Sequence, residues 1–199
     1  MGRPKKQPET IITPAQHPEA FKTAAELSAT AKLQGLAGGT WYYVGTLESC
    51  GIYKSFDFDV TRVLWVAKMA IDCDGSGGNP YNDPYFQPDT SLHYNGKALN
   101  PYEVPFIVVP PLVINCVGPV VLGSMGVCVN QRKGLAVQTV TGDVGPSSKI
   151  GEASCACAQR VGLDGNPNHG GTDGHYIAYM IFPGIAAQVD GITYKLQPS

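Results

Sequence analysis

The chain has 199 residues, with 14 Lys+Arg against 16 Asp+Glu and a formal charge of −2; only 15% of residues are charged, where about 25% is usual. Its 24 Gly and 16 Pro sit beside a 43% hydrophobic fraction, which excludes wholesale disorder, and the glycines lack the period of a collagen-like chain. No basic excess is present to hold phosphates, so no nucleic acid is expected as a partner, and no apolar run reaches the roughly 18 residues of a membrane span.

Residues 1–17 are polar and proline-rich and carry Arg3, Lys5 and Lys6, which predicts a flexible basic arm. Gly2-Arg3-Pro4-Lys5-Lys6 resembles a minor-groove AT-hook but lacks basic residues on its N-terminal side, and it is read as a solvated tail. No apolar h-region follows Met1, so no signal peptide is visible, and action outside the cell is expected by secretion or by release on lysis. Residues 18–35 are predicted helical. Pro18 suits a first turn, Glu19 favours the positive end, and Gly38-Gly39 closes the segment.

From Thr40 the pattern changes to strands and turns. Trp41-Tyr42-Tyr43-Val44 reads as a strand. Thr61 to Ile71 is the longest, with Val63, Trp65, Ala67, Met69 and Ile71 on one face, and its second face is apolar enough to make it central. Pro80 to Pro101 is a long polar loop of the kind that carries function. Further strands are predicted at Pro105 to Val109, closed by Pro110-Pro111, and at Val120 to Leu122. A hairpin follows at Val127 to Asn130 and Leu135 to Thr141. Ile150 to Val161 is predicted as a short Ala-rich helix stopped by Gly162, and Tyr176 to Phe182 and Ile192 to Leu196 as the last strands. The sum is a mainly β chain: a small six-stranded barrel domain over 40–199 with one or two short helices, preceded by a helical arm over 1–39.

Six cysteines (Cys50, Cys73, Cys116, Cys128, Cys155 and Cys157) allow up to three disulfides in 15 pairings. No CxxC pair occurs. The spacing of His169 and His175 with Cys155 and Cys157 does not fit zinc. Asp72, Asp74, Ser76, Gly77 and Asp83 fall on EF-hand positions, but Asn79 replaces an apolar residue, a strand precedes the loop, and Asp stands where Glu is expected. No metal and no cofactor are expected.

With so few charges, two acidic clusters stand out. In Ile71-Asp72-Cys73-Asp74-Gly75 the two carboxylates are two residues apart at the end of a strand, on one side, and need a cation, a proton or hydrogen bonds. In the second, Asp143 ends a strand, Gly145-Pro146 and Gly151 permit a tight loop, and Glu152 follows at the start of the predicted helix. Such a pair can be aimed at one space, as glycoside hydrolysis requires. Spacing by itself favours a plainer role, in which Asp143 caps a turn and Glu152 complements the helix end.

The stretches Ala70–Gly75, Asp83–Ser91, Pro105–Pro110 and Gly142-Asp143-Val144-Gly145-Pro146 through Lys149–Ser154 resemble the family 75 glycoside hydrolases, which are chitosanases. Pro167-Asn168-His169-Gly170-Gly171 is similar to their C-terminal Pro-x-x-Gly-Gly, and the likeness runs in order from about Ala70 to Gly184. Residues 1–60 carry none. The resemblance implies endo-hydrolysis of β-1,4-linked glucosamine chains with inversion, chitosan as the partner, and Asp143 and Glu152 as the essential carboxylates. The loop around Asp143 is also similar to the active loop of double-psi barrels, among them lytic transglycosylases and family 45 endoglucanases, which implies only a double-psi-like barrel.

On that basis Glu152 is expected to be the general acid, partly desolvated and raised in pKa, and Asp143 the base for water, with the swapped assignment as the alternative. An inverting pair stands about 6.5–9.5 Å apart. Asp72 and Asp74 are expected to bind glucosamine ammonium groups, although either could cap the loop after its strand. Tyr85, Gln87, Thr90 and Ser91 are expected to contact sugars, although Gln87, Thr90 and Ser91 could instead satisfy loop backbones, and Lys149 either tunes the carboxylates or is simply solvated. Asp57, Asp59, Asp83 and Asp89 are weaker candidates for the same ammonium groups and read mostly as turn carboxylates, and Trp65 reads as core. A monomer is expected. The competing functions are an enzyme on another aminosugar polymer, such as peptidoglycan, and a non-catalytic carbohydrate-binding barrel. A neutral or anionic polymer would gain nothing from Asp72 and Asp74, and a binding module would not need Glu152.

Overall fold

The computed structural model describes residues 10–12, 40–55, 60–117 and 121–198. In chain order they form β1 (Thr10–Ile12), β2 (Trp41–Leu47), β3 (Cys50–Ser55), β4 (Arg62–Asp72), β5 (His93–Tyr94), β6 (Lys97–Ala98) and β7 (Phe106–Val109). There follow α1 (Pro111–Val117), β8 (Ser124–Asn130), β9 (Leu135–Val144), β10 (Glu152–Ser154), α2 (Cys155–Arg160), β11 (Thr172–Ala186), β12 (Gln188–Val189) and β13 (Ile192–Thr193). β4, β10, β7, β9, β8 and β11 pair in that order, and β11 pairs back with β4, which closes a six-stranded barrel. β1, β2 and β3 extend the wall outward from β4.

β4 is the hinge of this arrangement. Its first half pairs antiparallel with β3 on one side and β11 on the other, and its last three residues pair parallel with β10. The period-two alternation explains why it can serve both. Val63, Trp65, Ala67 and Met69 enter one core cluster with Ile107, Cys128, Tyr179 and Ile181, and Ile71 packs at its margin. Leu64 enters a second cluster with Trp41, Tyr53 and Phe182. Trp65 stacks on Tyr179 with ring centroids 5.4 Å apart, as a core residue. Between β4 and β7, Pro80 to Pro101 forms the expected long loop, which folds back on itself through the small β5–β6 hairpin.

Several expectations are corrected. The helix predicted from Ile150 begins only at Cys155, because Glu152–Ser154 is a strand held between β4 and β7. Pairing on both edges outweighs the helix propensity of the Ala-rich stretch. Ser154 then caps α2 by accepting from the Cys157 amide at 3.2 Å. Pro110-Pro111 does not merely close a strand: Pro111 opens α1, where its missing N–H costs nothing. Thr10–Ile12, placed in a flexible arm, pairs with Trp41–Tyr43 as a β-branched strand. β3 was not anticipated, β11 is longer than Tyr176 to Phe182, and β13 ends at Thr193. Leu122 forms a single bridge to Gln197. The predicted helix over 18–35, Asp57 and Asp59 lie outside the described residues.

Among the described residues one disulfide forms, Cys73–Cys155, with its Cα atoms 5.9 Å apart. It ties the chain just after β4 to the first residue of α2. Cys155 is therefore not available as a metal thiolate. Cys50, Cys128 and Cys157 are buried thiols.

Candidate active site

Asp143 is aimed by a break in register. β7 and β9 run parallel with Ile107 opposite Thr141 and Val108 opposite Asp143, so Gly142 is an extra residue in β9. Such a bulge reverses which face the following side chain occupies. A side chain at 142 would strike Phe106, whose Cβ lies 2.6 Å from the position a Cβ would take, so only Gly fits the bulge. Asp143 is thereby directed with Val108 into the cleft and is 9% exposed. Its Oδ1 accepts from the Ser91 amide at 3.0 Å, from the Ser91 hydroxyl and from the Val144 amide at 2.7 Å. No donor among the described residues reaches Oδ2.

Glu152 is placed by Gly151. That glycine has φ +83°, and a Cβ on it would lie 2.5 Å from the Lys68 carbonyl oxygen. The close approach lets the Ala70 amide donate to the Gly151 carbonyl at 2.8 Å and brings β10 alongside β4. Glu152 stands opposite Val108 on its other neighbour, β7. Directly opposed residues share a face of a sheet. Glu152, Val108 and Asp143 therefore form one transverse row, with the two acids on alternate sides of Val108. Two strand steps separate their backbones by about 9–10 Å. Glu152 is partly buried, and no hydrogen bond ties its carboxyl among the described residues. Burial raises its pKa above the usual 4.5, aided by the Glu48 and Asp143 charges and opposed by Lys149 and Lys68.

Asp72 ends β4 level with Ser154. Its Oδ1 accepts from the Asp74 amide at 2.8 Å, so the loop-capping role considered from the sequence is present. Burial pushes its pKa up to about 8, with Asp74, Asp143 and Glu152 adding to the effect against that hydrogen bond. Asp74 in turn accepts from the Gln87 amide at 2.6 Å and is also raised, chiefly by burial.

All eight predicted site residues, Asp72, Asp74, Tyr85, Gln87, Thr90, Ser91, Asp143 and Glu152, line one open cleft of ≈ 560 Å³. They are not equivalent there. The Thr90 hydroxyl is buried and used internally, donating to Leu92 O at 2.8 Å and accepting from the Leu99 amide at 2.9 Å. Ser91 serves Asp143. Gln87 and Tyr85 are exposed, and the Tyr85 ring, 85% accessible, projects from a turn fixed by Asp83 Oδ1 and the Tyr85 amide. Asp83 and Asp89, read from the sequence mostly as turn carboxylates and as weaker candidates for ammonium groups, hold backbone amides and also line the cleft. Lys149 lies on the rim beside Glu152.

Three contributors escaped the sequence. Val108 is the floor between the acids and reads only as a core strand residue. His93 pairs with Asp89 at 2.8 Å at the far lip, and only its place in the long loop hinted at it. Glu48 reaches the Glu152 loop from outside the barrel, through a two-residue turn with no turn-type signature in its sequence.

The site carries two opposed carboxyls of unlike surroundings above a broad acidic trough. A sequence model of the family described as fungal chitosanase of glycosyl hydrolase group 75 matches residues 69–196. Two relatives named Endo-chitosanase C, one from Aspergillus oryzae (strain ATCC 42149 / RIB 40) and one from Aspergillus oryzae, are 31% identical over 132 residues and 32% identical over 129 residues. Each match covers 62% of this chain and 32% of the relative, so the chain spans about a third of the length of these curated relatives.

Proposed function

The chain belongs to glycosyl hydrolase group 75, and from that premise we propose that it is an endo-chitosanase that cleaves β-1,4 linkages between glucosamine units with inversion. The observation that carries this reading is the row Glu152–Val108–Asp143, which leaves room between two carboxyls for a sugar carbon and a water.

Glu152 is the general acid. Burial and the neighbouring carboxylates favour the protonated carboxyl, whose proton passes to the glycosidic oxygen as the bond breaks. Asp143 is the base. Ser91 and the Val144 amide fix Oδ1, which leaves Oδ2 to take a proton from the attacking water. The water adds to the anomeric carbon from the side opposite the leaving oxygen, which inverts the configuration.

Chitosan is a polycation below its amine pKa, and the trough is rich in carboxylates. Asp74 offers an anion for one ammonium group. Asp72, neutral below about pH 8 when the cleft is empty, ionises more readily when an ammonium group sits beside it. Tyr85 provides a stacking face and Gln87 a hydrogen-bonding amide. The enzyme acts as a monomer outside the cell. Incubation with chitosan should give mid-length oligomers, with chitin and peptidoglycan left intact. Equal cleavage of peptidoglycan would point to the broader aminosugar activity, and binding without cleavage to a non-catalytic barrel.

A further inference from the structure

The β2–β3 hairpin lies outside the family-matched segment 69–196, yet it touches the loop that carries Glu152. Its turn is Glu48-Ser49, closed by the Leu47–Cys50 pair. Glu48 has φ 45° and Ser49 φ 67°. Two-residue hairpin turns with both φ values positive favour Asn-Gly or Asp-Gly, and Glu at the first position is an unfavourable choice. Its side chain shows what that choice achieves. Oε1 accepts from Lys68 Nζ at 2.8 Å, and Oε2 accepts from the Ile150 amide at 2.9 Å. Ile150 precedes Gly151, and Lys68 supplies the carbonyl against which Gly151 packs. One carboxylate therefore fastens both sides of the contact that sets the position of Glu152.

We propose that Glu48 is a positioning residue for the catalytic acid, holding the Ile150–Glu152 backbone against β4 and neutralising Lys68 beside it. The proposal rests on the reading of Glu152 as the acid. An exposed Lys–Glu pair contributes little to stability, so the contact is poorly explained as a staple. The groups that face Glu152 are Lys68 and Asp72 from β4, Asp143 from β9, Lys149 from the preceding loop, Glu48 from the hairpin and the buried Tyr179 phenol from β11. Of these, Glu48 and Lys68 form the one bonded pair of opposite charge. Loss of Glu48 bares the Lys68 cation and favours ionised Glu152. Loss of Lys68 does the reverse.

The test uses the full chain with Glu48→Asn, Glu48→Gln and Lys68→Met. Asn suits the turn conformation but is too short to bridge, so the hairpin is preserved while the contact is lost. On a soluble chitosan oligomer Glu48→Asn should lower kcat about tenfold, the loss of one hydrogen bond to a charged group, with little change in KM. Glu48→Gln keeps an acceptor for Ile150 and should recover part of kcat. The Glu152 carboxyl, followed by carbon NMR titration, should shift down in Glu48→Asn and up in Lys68→Met. A Glu48→Asn protein with wild-type kcat and an unmoved Glu152 titration overturns the proposal. Failure of the wild type to cleave chitosan overturns the proposed function instead, and the titration still decides the role of Glu48.

Discussion

Glu152 and Asp143 sit on opposite sides of Val108 in one row of the barrel wall, one on the short β10 and the other on the bulged end of β9. Their backbones are two strand steps apart, about 9–10 Å. That backbone spacing leaves room for an intervening water, as the proposed inverting reaction requires. Proton NMR of the first product formed from chitosan should therefore show the α-anomer before mutarotation. Glu152→Gln and Asp143→Asn should each reduce turnover at least about a hundredfold with unchanged circular dichroism. A β-anomeric first product would contradict the inverting assignment.

With Glu152 as the proposed acid, Lys149 should lower the upper pH limit of activity. Burial raises the pKa of Glu152, and Lys149 is the strongest of the groups that pull it down. The acid works only while protonated, so activity falls as pH rises through its pKa. Lys149→Met removes a cation that favours the ionised form, which raises that pKa. The alkaline limb of kcat/KM should move to higher pH, and a limb that moves down or stays fixed would argue for Glu152 as the base.

Asp72 makes stability fall with pH. Its pKa is about 8 in the folded protein against 3.8 for the free side chain, so between those values the folded state binds more protons than the unfolded. Stability linked to this group is fully present below about pH 4 and is lost as pH rises to about 8. Asp72→Asn keeps the shape and cannot ionise. In urea unfolding the variant should gain on the wild type steadily from pH 5 to pH 8. A constant difference across that window would show that Asp72 ionises freely in the folded chain.

The parts of this architecture that obey local rules were legible in the sequence. β4 announced itself because Val63, Trp65, Ala67 and Met69 alternate on one core face. The β8–β9 hairpin showed through its turn at Gln131-Arg132-Lys133-Gly134. The convergence of Asp143 and Glu152 on one cleft is legible only through likeness to a family, since spacing alone does not distinguish it from a capped turn. Residues 152–154 are a strand although the Ala-rich composition around them speaks for a helix, because that strand exists only through its partners β4 and β7. β3 was hidden because it carries the buried polar residues Lys54 and Ser55 in place of a clean apolar face. The bulge at Gly142 was equally invisible. A glycine signals freedom, and which face the next side chain takes depends on register with a strand some 35 residues earlier.

The Cys73–Cys155 bond fixes the acidic trough to the helix behind it. It closes a loop with a sequence separation of 82, for which chain entropy predicts about 4.5 kcal/mol of stabilisation. Cys73→Ala with Cys155→Ala should lower the melting temperature by several degrees or more. Because Asp72 lies beside Cys73, the pair should also weaken chitosan binding more than a remote destabilising substitution does. Thermal melts with and without reductant, together with KM, separate these effects.

Gly145 lies where the acid-bearing loop leaves β9, and its amide donates to the Val109 carbonyl at 3.0 Å. A Cβ there would stand 2.9 Å from Val108 Cγ1 and 3.0 Å from Glu152 Oε2. Both contacts are tighter than side chains tolerate, and the two neighbours differ in freedom. Val108 is buried and braced by strands on both sides, while the Glu152 carboxyl has no hydrogen bond from the described residues to hold it. The strain of Gly145→Ala therefore falls on the carboxyl, which must turn away from the space above Val108. Gly145→Ala should fold, lose little stability in urea, and lose most of its kcat on chitosan with a smaller change in KM. Normal turnover in this variant would show that the acid does not work from the position it holds beside Gly145.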